Sequence, residues 1–198
     1  MWNERYAEPG FLFGTEPAQF LLEQEKWLRS GQKALAVADG EGRNSVYLAQ
    51  RGLEVKAIDS SQVALEKAKG LAKTNNVEVN HQFADLENWN WEPQAYDLVV
   101  AIFIQFAGPE FRKRIFAGLQ KTLRPGGILL LHGYTPKQIE YGTGGPPFVE
   151  NMYTKEMLQT DFANMEILRL TAYERVVDEG RGHSGMSALI DLVARKPT

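Results

Sequence analysis

The chain has 198 residues, 43% of them apolar, a net charge of −3 and no cysteine. That length suits one domain with a sizeable core. Disulfides, thiolate metal sites and cysteine nucleophiles are excluded, and the mildly acidic balance gives no electrostatic reason to expect nucleic acid as a partner. His81, His132 and His183 have no close metal-ligand spacing, so no metal is expected. No apolar run is long enough to span a bilayer, and the opening Met-Trp-Asn-Glu-Arg-Tyr reads as neither a signal nor a transit peptide. A cytoplasmic protein without membrane contact is the expectation.

Residues 1–14 carry Trp2, Arg5, Tyr6, Phe11, Phe13 and Gly14 with no clean period. Such an aromatic arm must dock, either on the core or as a lid over a ligand. Pro17 fits the first turn of a helix capped by Thr15 or Glu16. Phe20, Leu21, Gln24, Trp27 and Leu28 form its face, and Ser30-Gly31 ends it. Residues 34–38 read as a buried strand, broken by Gly40 and Gly42 and followed by a helix up to Gly52. Strand, glycine turn and helix can hold a nucleotide, because glycine lets the backbone approach a ligand and the helix N-terminus presents unpaired N–H groups. A tight strand-to-helix connection explains the same residues equally well.

A second strand over 53–58 ends at Asp59, and Ser60 or Ser61 caps the next helix. A third strand over 77–84 ends at Asp85. The fourth and most apolar strand covers 96–103. A helix over 109–123 repeats Phe111, Ile115, Leu119 and Leu123 on one face, and Arg124-Pro125-Gly126-Gly127 stops it. A fifth strand covers 128–131. This alternation argues a parallel sheet with helices on both faces. The rhythm then changes. Residues 133–153 read as a long glycine- and proline-rich loop, 154–161 as a short helix, and 165–177 and 184–195 as two strands of a hairpin.

In an open parallel α/β sheet the ligand sits beyond the carboxyl ends of the strands, where Asp39, Asp59 and Asp85 fall. Asp59 follows a strand directly, the position from which a carboxylate accepts hydrogen bonds from both ribose hydroxyls. Dinucleotides and S-adenosylmethionine share this arrangement. The dinucleotide fingerprint needs a third glycine at position 45, where this chain has Ser45, so a nicotinamide-dependent oxidoreductase is the weaker alternative.

At this point the chain resembles the class I S-adenosylmethionine-dependent methyltransferases. The matching pieces are Ala-Asp-Gly-Glu-Gly-Arg-Asn at 38–44, Asp59, Phe-Ala-Asp-Leu at 83–86, Tyr-Asp-Leu-Val-Val at 96–100 and Leu-Arg-Pro-Gly-Gly at 123–127. Both ends look like the branch that includes tellurite-resistance and thiopurine-type methyltransferases. The pieces are Trp-Asn-Glu-Arg-Tyr and Phe-Gly-Thr-Glu-Pro at the start, and Gly-Thr-Gly-Gly-Pro, Met-Tyr-Thr and Asp-Glu-Gly-Arg-Gly-His-Ser-Gly near the other end.

The resemblance implies one Rossmann-like α/β domain over 1–198, with an arm and helix at 1–30 and a core at 31–198. Its seven-stranded, mostly parallel sheet ends in an antiparallel hairpin. It implies S-adenosyl-L-methionine as cofactor, with Gly40 and Gly42 against the methionine part, Asp59 on the ribose and Asp85 facing the adenine amino group. Arg5, Tyr6, Gly14, Asp39, Asn44, Ser60, Leu86 and Ile102 complete the implied cofactor set. The acceptor is expected to be a small molecule, a thiol or a chalcogen oxyanion among the options, met by His183, Arg181 and Tyr134. The 103–106 segment should border the methyl group. Two positions depart from the family pattern: Ala38 replaces a glycine and Ala36 an acid that helps hold the cofactor's ammonium. Asp39 either compensates for that acid or caps the helix beginning near Arg43. A binding module without catalysis is therefore a further alternative.

Overall fold

A computed structural model describes residues 2–198. Seven strands form one sheet in the order β3-β2-β1-β4-β5-β7-β6. They are β1 (Lys33–Val37), β2 (Glu54–Asp59), β3 (Asn80–Phe83), β4 (Tyr96–Ile102), β5 (Leu123–Tyr134), β6 (Glu166–Asp178) and β7 (Ser184–Arg195). β1 pairs parallel to β2 and β4, and β4 parallel to β5, whereas β7 runs antiparallel between β5 and β6. The helices are α1 (Trp2–Ala7), α2 (Gln19–Glu23), α3 (Arg43–Gln50), α4 (Gln62–Thr74), α5 (Pro109–Thr122), α6 (Gln138–Tyr141) and α7 (Lys155–Asp161).

The alternation of β4 shows why the sheet is covered on both faces. Val99 and Ala101 point to a core shared with Ile115, Phe116 and Leu119 of α5. Leu98, Val100 and Ile102 point to the opposite core, with Phe20, Leu21 and Leu48. Successive side chains of a strand face opposite sides, so an all-apolar strand requires cover on both. Trp91 closes one core by lying flat on α5, where a Cβ on Gly118 would come within 2.3 Å of its ring. The strand order reverses between β1 and β4, which opens a crevice at their carboxyl ends.

Several boundaries differ from the sequence reading. The aromatic arm contains a helix, α1. The helix expected after Pro17 starts at Gln19 without a side-chain cap and gives way to a 3₁₀ turn over Glu25–Trp27. Its first N–H groups are instead satisfied through space, Ala18 N by Asn44 Oδ1 at 2.9 Å and Gln19 N by Glu179 Oε1 at 3.0 Å. Ser61 rather than Ser60 caps α4, accepting from Ala64 N at 3.2 Å. The edge strand β3 is shorter than expected. β5 is longer: it starts at Leu123, directly after α5, and absorbs the glycines in a register shift. The loop after it holds α6 and a 3₁₀ turn over Val149–Asn151.

Candidate functional site

A cavity of about 360 Å³ lies beyond the carboxyl ends of β1, β2 and β4. Its floor is the turn between β1 and α3. Here Ala38 has φ +49°, Gly40 +63° and Gly42 +93°. For a residue with a Cβ the left-handed region costs roughly 1–2 kcal/mol, so Ala38 is strained where glycine would not be. At Gly40 a Cβ would stand 2.8 Å from the Tyr6 hydroxyl, so Tyr6 would have to shift, and the positive φ disfavours a side chain there as well. Gly42 has a different constraint: its Cβ would meet the Ala68 Cβ at 2.7 Å, so it serves the packing of α3 on α4 and does not line the cavity.

Three carboxyl groups stand along this floor. Asp59 accepts from Gly40 N at 2.9 Å and from Ser61 N at 2.8 Å. Burial nevertheless pushes its carboxyl above the ordinary range. Asp39 accepts from both the backbone N–H and the hydroxyl of Ser45 in the first turn of α3, so it caps that helix while lining the cavity. Burial pushes its pKa up to about 7. Asp85, after β3, accepts from Glu87 N and Asn88 Nδ2. Among the described residues none of the three is salt-bridged to a cationic side chain.

The roof is the N-terminal arm. Trp2, Arg5 and Tyr6 of α1 line the cavity, with Trp2 stacked on Tyr6 and the Arg5 guanidinium 4.6 Å from the Trp2 ring centre. The arm is tied down at several points. Leu12 N donates to Glu41 Oε2 at 2.7 Å, and Lys67 Nζ reaches Glu8 O, Gly10 O and Glu41 Oε1 at 2.8, 2.6 and 2.9 Å. The β6–β7 connection meets the arm from the other side, as Gly182 N donates to Leu12 O at 3.0 Å.

The remaining wall is aromatic. His183 packs against Phe13 and Phe103 at centroid distances of 4.4 and 4.1 Å and edge-on to Tyr134 at 5.7 Å. Its Nδ1 and the Tyr134 hydroxyl are buried with no hydrogen-bond partner among the described residues. Burial, with the Arg43 charge next in weight, holds the His183 pKa well below its ordinary value, so the imidazole is neutral at pH 7. Gln105 fixes this wall by accepting from Tyr134 N and donating to Tyr134 O, at 2.6 and 2.8 Å. Gly144 to Phe148 cover its outer side.

The cavity thus gathers Arg5, Tyr6, Gly14, Asp39, Gly40, Asn44, Asp59, Ser60, Asp85, Leu86 and Ile102, together with His183 and Tyr134. Gly42 and Arg181 lie outside its lining. Arg181 is exposed and donates to Pro9 O at 3.1 Å, so it fastens the arm to the hairpin instead of facing an acceptor. Asn44 is spent on Ala18 N, which leaves it a buttress of α2. Sequence reasoning missed Glu41, Arg43 and Gln105. Glu41 carried a signal, a charged residue between two turn glycines. Arg43 and Gln105 carried none, because their partners are distant in sequence.

The cavity fits S-adenosyl-L-methionine on this structure's own chemistry. Its volume falls in the ~300–1,000 Å³ range of small-molecule sites. Carboxyls without cationic partners line its floor, which suits a ligand bearing a sulfonium and an ammonium. Asp59, at the end of β2, and Asp85, after β3, both line it and offer carboxylate acceptors. Ser45, where a dinucleotide turn needs glycine, is engaged with Asp39 and Gly42 O.

Comparison with known proteins agrees. The family described as "Methyltransferase domain" matches residues 34–127. Ribosomal protein L11 methyltransferase of Dictyoglomus turgidum is 31% identical over 138 residues, which cover 67% of this chain and 44% of that protein. Ubiquinone biosynthesis O-methyltransferase of Coxiella burnetii is 26% identical over 136 residues, covering 68% and 57%. The chain therefore spans about half the length of these relatives. TehB from Haemophilus influenzae shares the fold with a TM-score of 0.73 at 18% identity, over 98% of this chain and 65% of that one.

Proposed function

Residues 34–127 are a methyltransferase domain set in the class I fold, and from this premise we propose that the chain binds S-adenosyl-L-methionine and methylates a small-molecule acceptor. The observation that carries the acceptor's size is the hydrogen bond from Gly182 N to Leu12 O. It joins the hairpin to the arm beside the cavity, and a roof fastened in this way supports a small acceptor over the folded surface of a protein or RNA.

The cofactor supplies a methyl group on a positively charged sulfur, a good leaving group, so alignment accounts for much of the acceleration. The chain's own residues do the rest. Asp59 and Asp85 bind the nucleoside end, and Asp39 faces the cationic end. The arm and the 142–148 loop exclude water. His183, neutral and partly facing the cavity, takes a proton from the acceptor's nucleophilic atom. A neutral base suits an acceptor that arrives protonated, and a thiol is the reading we favour. A chalcogen oxyanion is the second option, with Arg5 as the cation to receive it, since Arg43 is committed to Glu179.

A binding module without catalysis is the competing reading, motivated by Ala36 and Ala38. Calorimetric titration with S-adenosylmethionine, S-adenosylhomocysteine and NAD, followed by transfer of labelled methyl to a panel of thiols, selenite and tellurite, separates the readings. Binding of the sulfur nucleosides with transfer to a thiol, reduced at least tenfold in His183→Gln, is the expected result. Binding with no transfer to any acceptor favours the module, and binding of NAD alone overturns both.

A further inference from the structure

A histidine that works as a base is ordinarily held in orientation by a hydrogen bond on its second ring nitrogen. His183 has no such bond: its Nδ1 is buried and unpartnered among the described residues. Ring packing must do the orienting, and on the sheet side that packing is Phe103, at 4.1 Å, with Tyr134 edge-on at 5.7 Å. Phe103 is itself held in an unusual way. Its φ is +57°, a left-handed conformation that a bulky side chain rarely adopts and that persists only where surrounding structure enforces it.

The enforcement comes from His132 at the end of β5. The His132 carbonyl accepts from Phe103 N at 2.8 Å, and its ring meets the Phe103 ring edge-on at 4.8 Å. His132 is fixed in turn. Its Nδ1 is 2.8 Å from Asp191 Oδ1, and Phe20 lies flat against its other face at 4.8 Å. Asp191 is fully buried on β7 and also accepts from Arg169 Nε and the Tyr173 hydroxyl on β6, both at 3.0 Å. None of Asp191, His132 or Phe20 lines the cavity.

We infer that Phe103, pinned by the buried His132–Asp191 pair, is the positioning residue that holds the His183 imidazole in its cavity-facing orientation. This rests on the reading of His183 as the base, although the geometry stands apart from it. Three rigid strands, β5, β7 and β6, converge through Asp191 on one ring, and that ring sets the side chain that supports His183. The charged and titratable groups facing His183 are Arg43 from α3, Arg5 from α1, and His132 and Tyr134 from β5, while Glu179 of the hairpin meets it through the backbone, its N–H donating to His183 O at 2.8 Å. Removing the Phe103 ring leaves all of these in place while admitting water to the imidazole.

Phe103→Gly tests the inference, because glycine keeps the left-handed turn while deleting the ring; Phe103→Tyr keeps the ring. Ring NMR of the ligand-free protein is the readout. In the wild type, cross-relaxation between the Phe103 and His183 rings is expected, with a His183 titration midpoint well below ~6.5, the value of a free imidazole. In Phe103→Gly the midpoint should rise by at least one pH unit, and in Phe103→Tyr it should stay within a few tenths of wild type. With a working acceptor, kcat of Phe103→Gly should fall on the order of 100-fold, as for a misplaced catalytic group. A wild type without that cross-relaxation, or a folded Phe103→Gly with an unchanged His183 midpoint, overturns the inference. Full transfer activity in His183→Gln removes the base reading alone, leaving the NMR result to decide the positioning.

Discussion

The Arg43 guanidinium stands 2.8 Å from the Glu179 carboxylate, and both side chains are at least nine-tenths buried, at 8% and 10% exposure. This pair joins the start of α3 to the β6–β7 connection, so the cofactor turn and the roof of the cavity share one contact. Removing one partner leaves the other charge buried. Arg43→Met is expected to destabilise the fold by about 3–5 kcal/mol, and Arg43→Met with Glu179→Met to recover most of that. Urea unfolding of the single and double variants measures it. A double variant as unstable as the single one would show that the pair is not what Arg43 contributes.

Ala38 occupies a left-handed position with φ +49°. Ala38→Gly relieves the strain at some cost in unfolded-chain entropy, for a net gain of about 1 kcal/mol. Thermal unfolding should shift upward accordingly. A lower midpoint would mean that the Ala38 methyl contributes more through packing against the core than its backbone costs.

Asp39 links the site to pH. Its folded pKa of about 7 lies above the 3.8 of an unperturbed carboxyl. The folded state therefore holds the proton more tightly, and the associated stability, fully present below pH ~4, is lost as pH rises through 7. Part of the side chain remains open to the cavity, which argues for an effect near 1–2 kcal/mol. Asp39→Asn, whose amide can still serve the Ser45 N–H and hydroxyl, should flatten this dependence between pH 5 and 8. The same group predicts that binding a cationic ligand at pH 6.5 releases a proton. Calorimetry in buffers of different ionisation enthalpy detects it, and equal heats across buffers would dismiss Asp39 as the linked group.

Glu41 ties the glycine turn to the arm, one oxygen on Leu12 N and the other on Lys67 Nζ. Glu41→Gln weakens both bonds without adding bulk. Amide exchange in residues 2–14 should become roughly tenfold faster, equivalent to ~1.4 kcal/mol of local stability. The β1 and β4 amides should keep wild-type exchange. Unchanged arm exchange would assign the closure to Arg181 and Lys67 instead.

The sequence by itself determined the sheet, the order of its elements and the family resemblance. Those features depend on local chemistry: apolar alternation, turn glycines, and carboxylates directly after strands, each readable within a few residues. It also pointed to the strand ends, where the cavity lies, because the strand order of a parallel sheet opens a crevice there. Tertiary structure decided what the site residues do. Asp39 is both a helix cap and a cavity wall, since its distance to Ser45 depends on how α3 leaves the turn. Gly42 makes room for Ala68 and Gly40 for Tyr6, a difference invisible in the pattern because both have positive φ. Arg181 faces Pro9 and His183 faces the cavity, although they are two residues apart on one hairpin. Burial shifts the titration of Asp39 upward and that of His183 downward, and burial is a property of contacts between residues far apart in the chain.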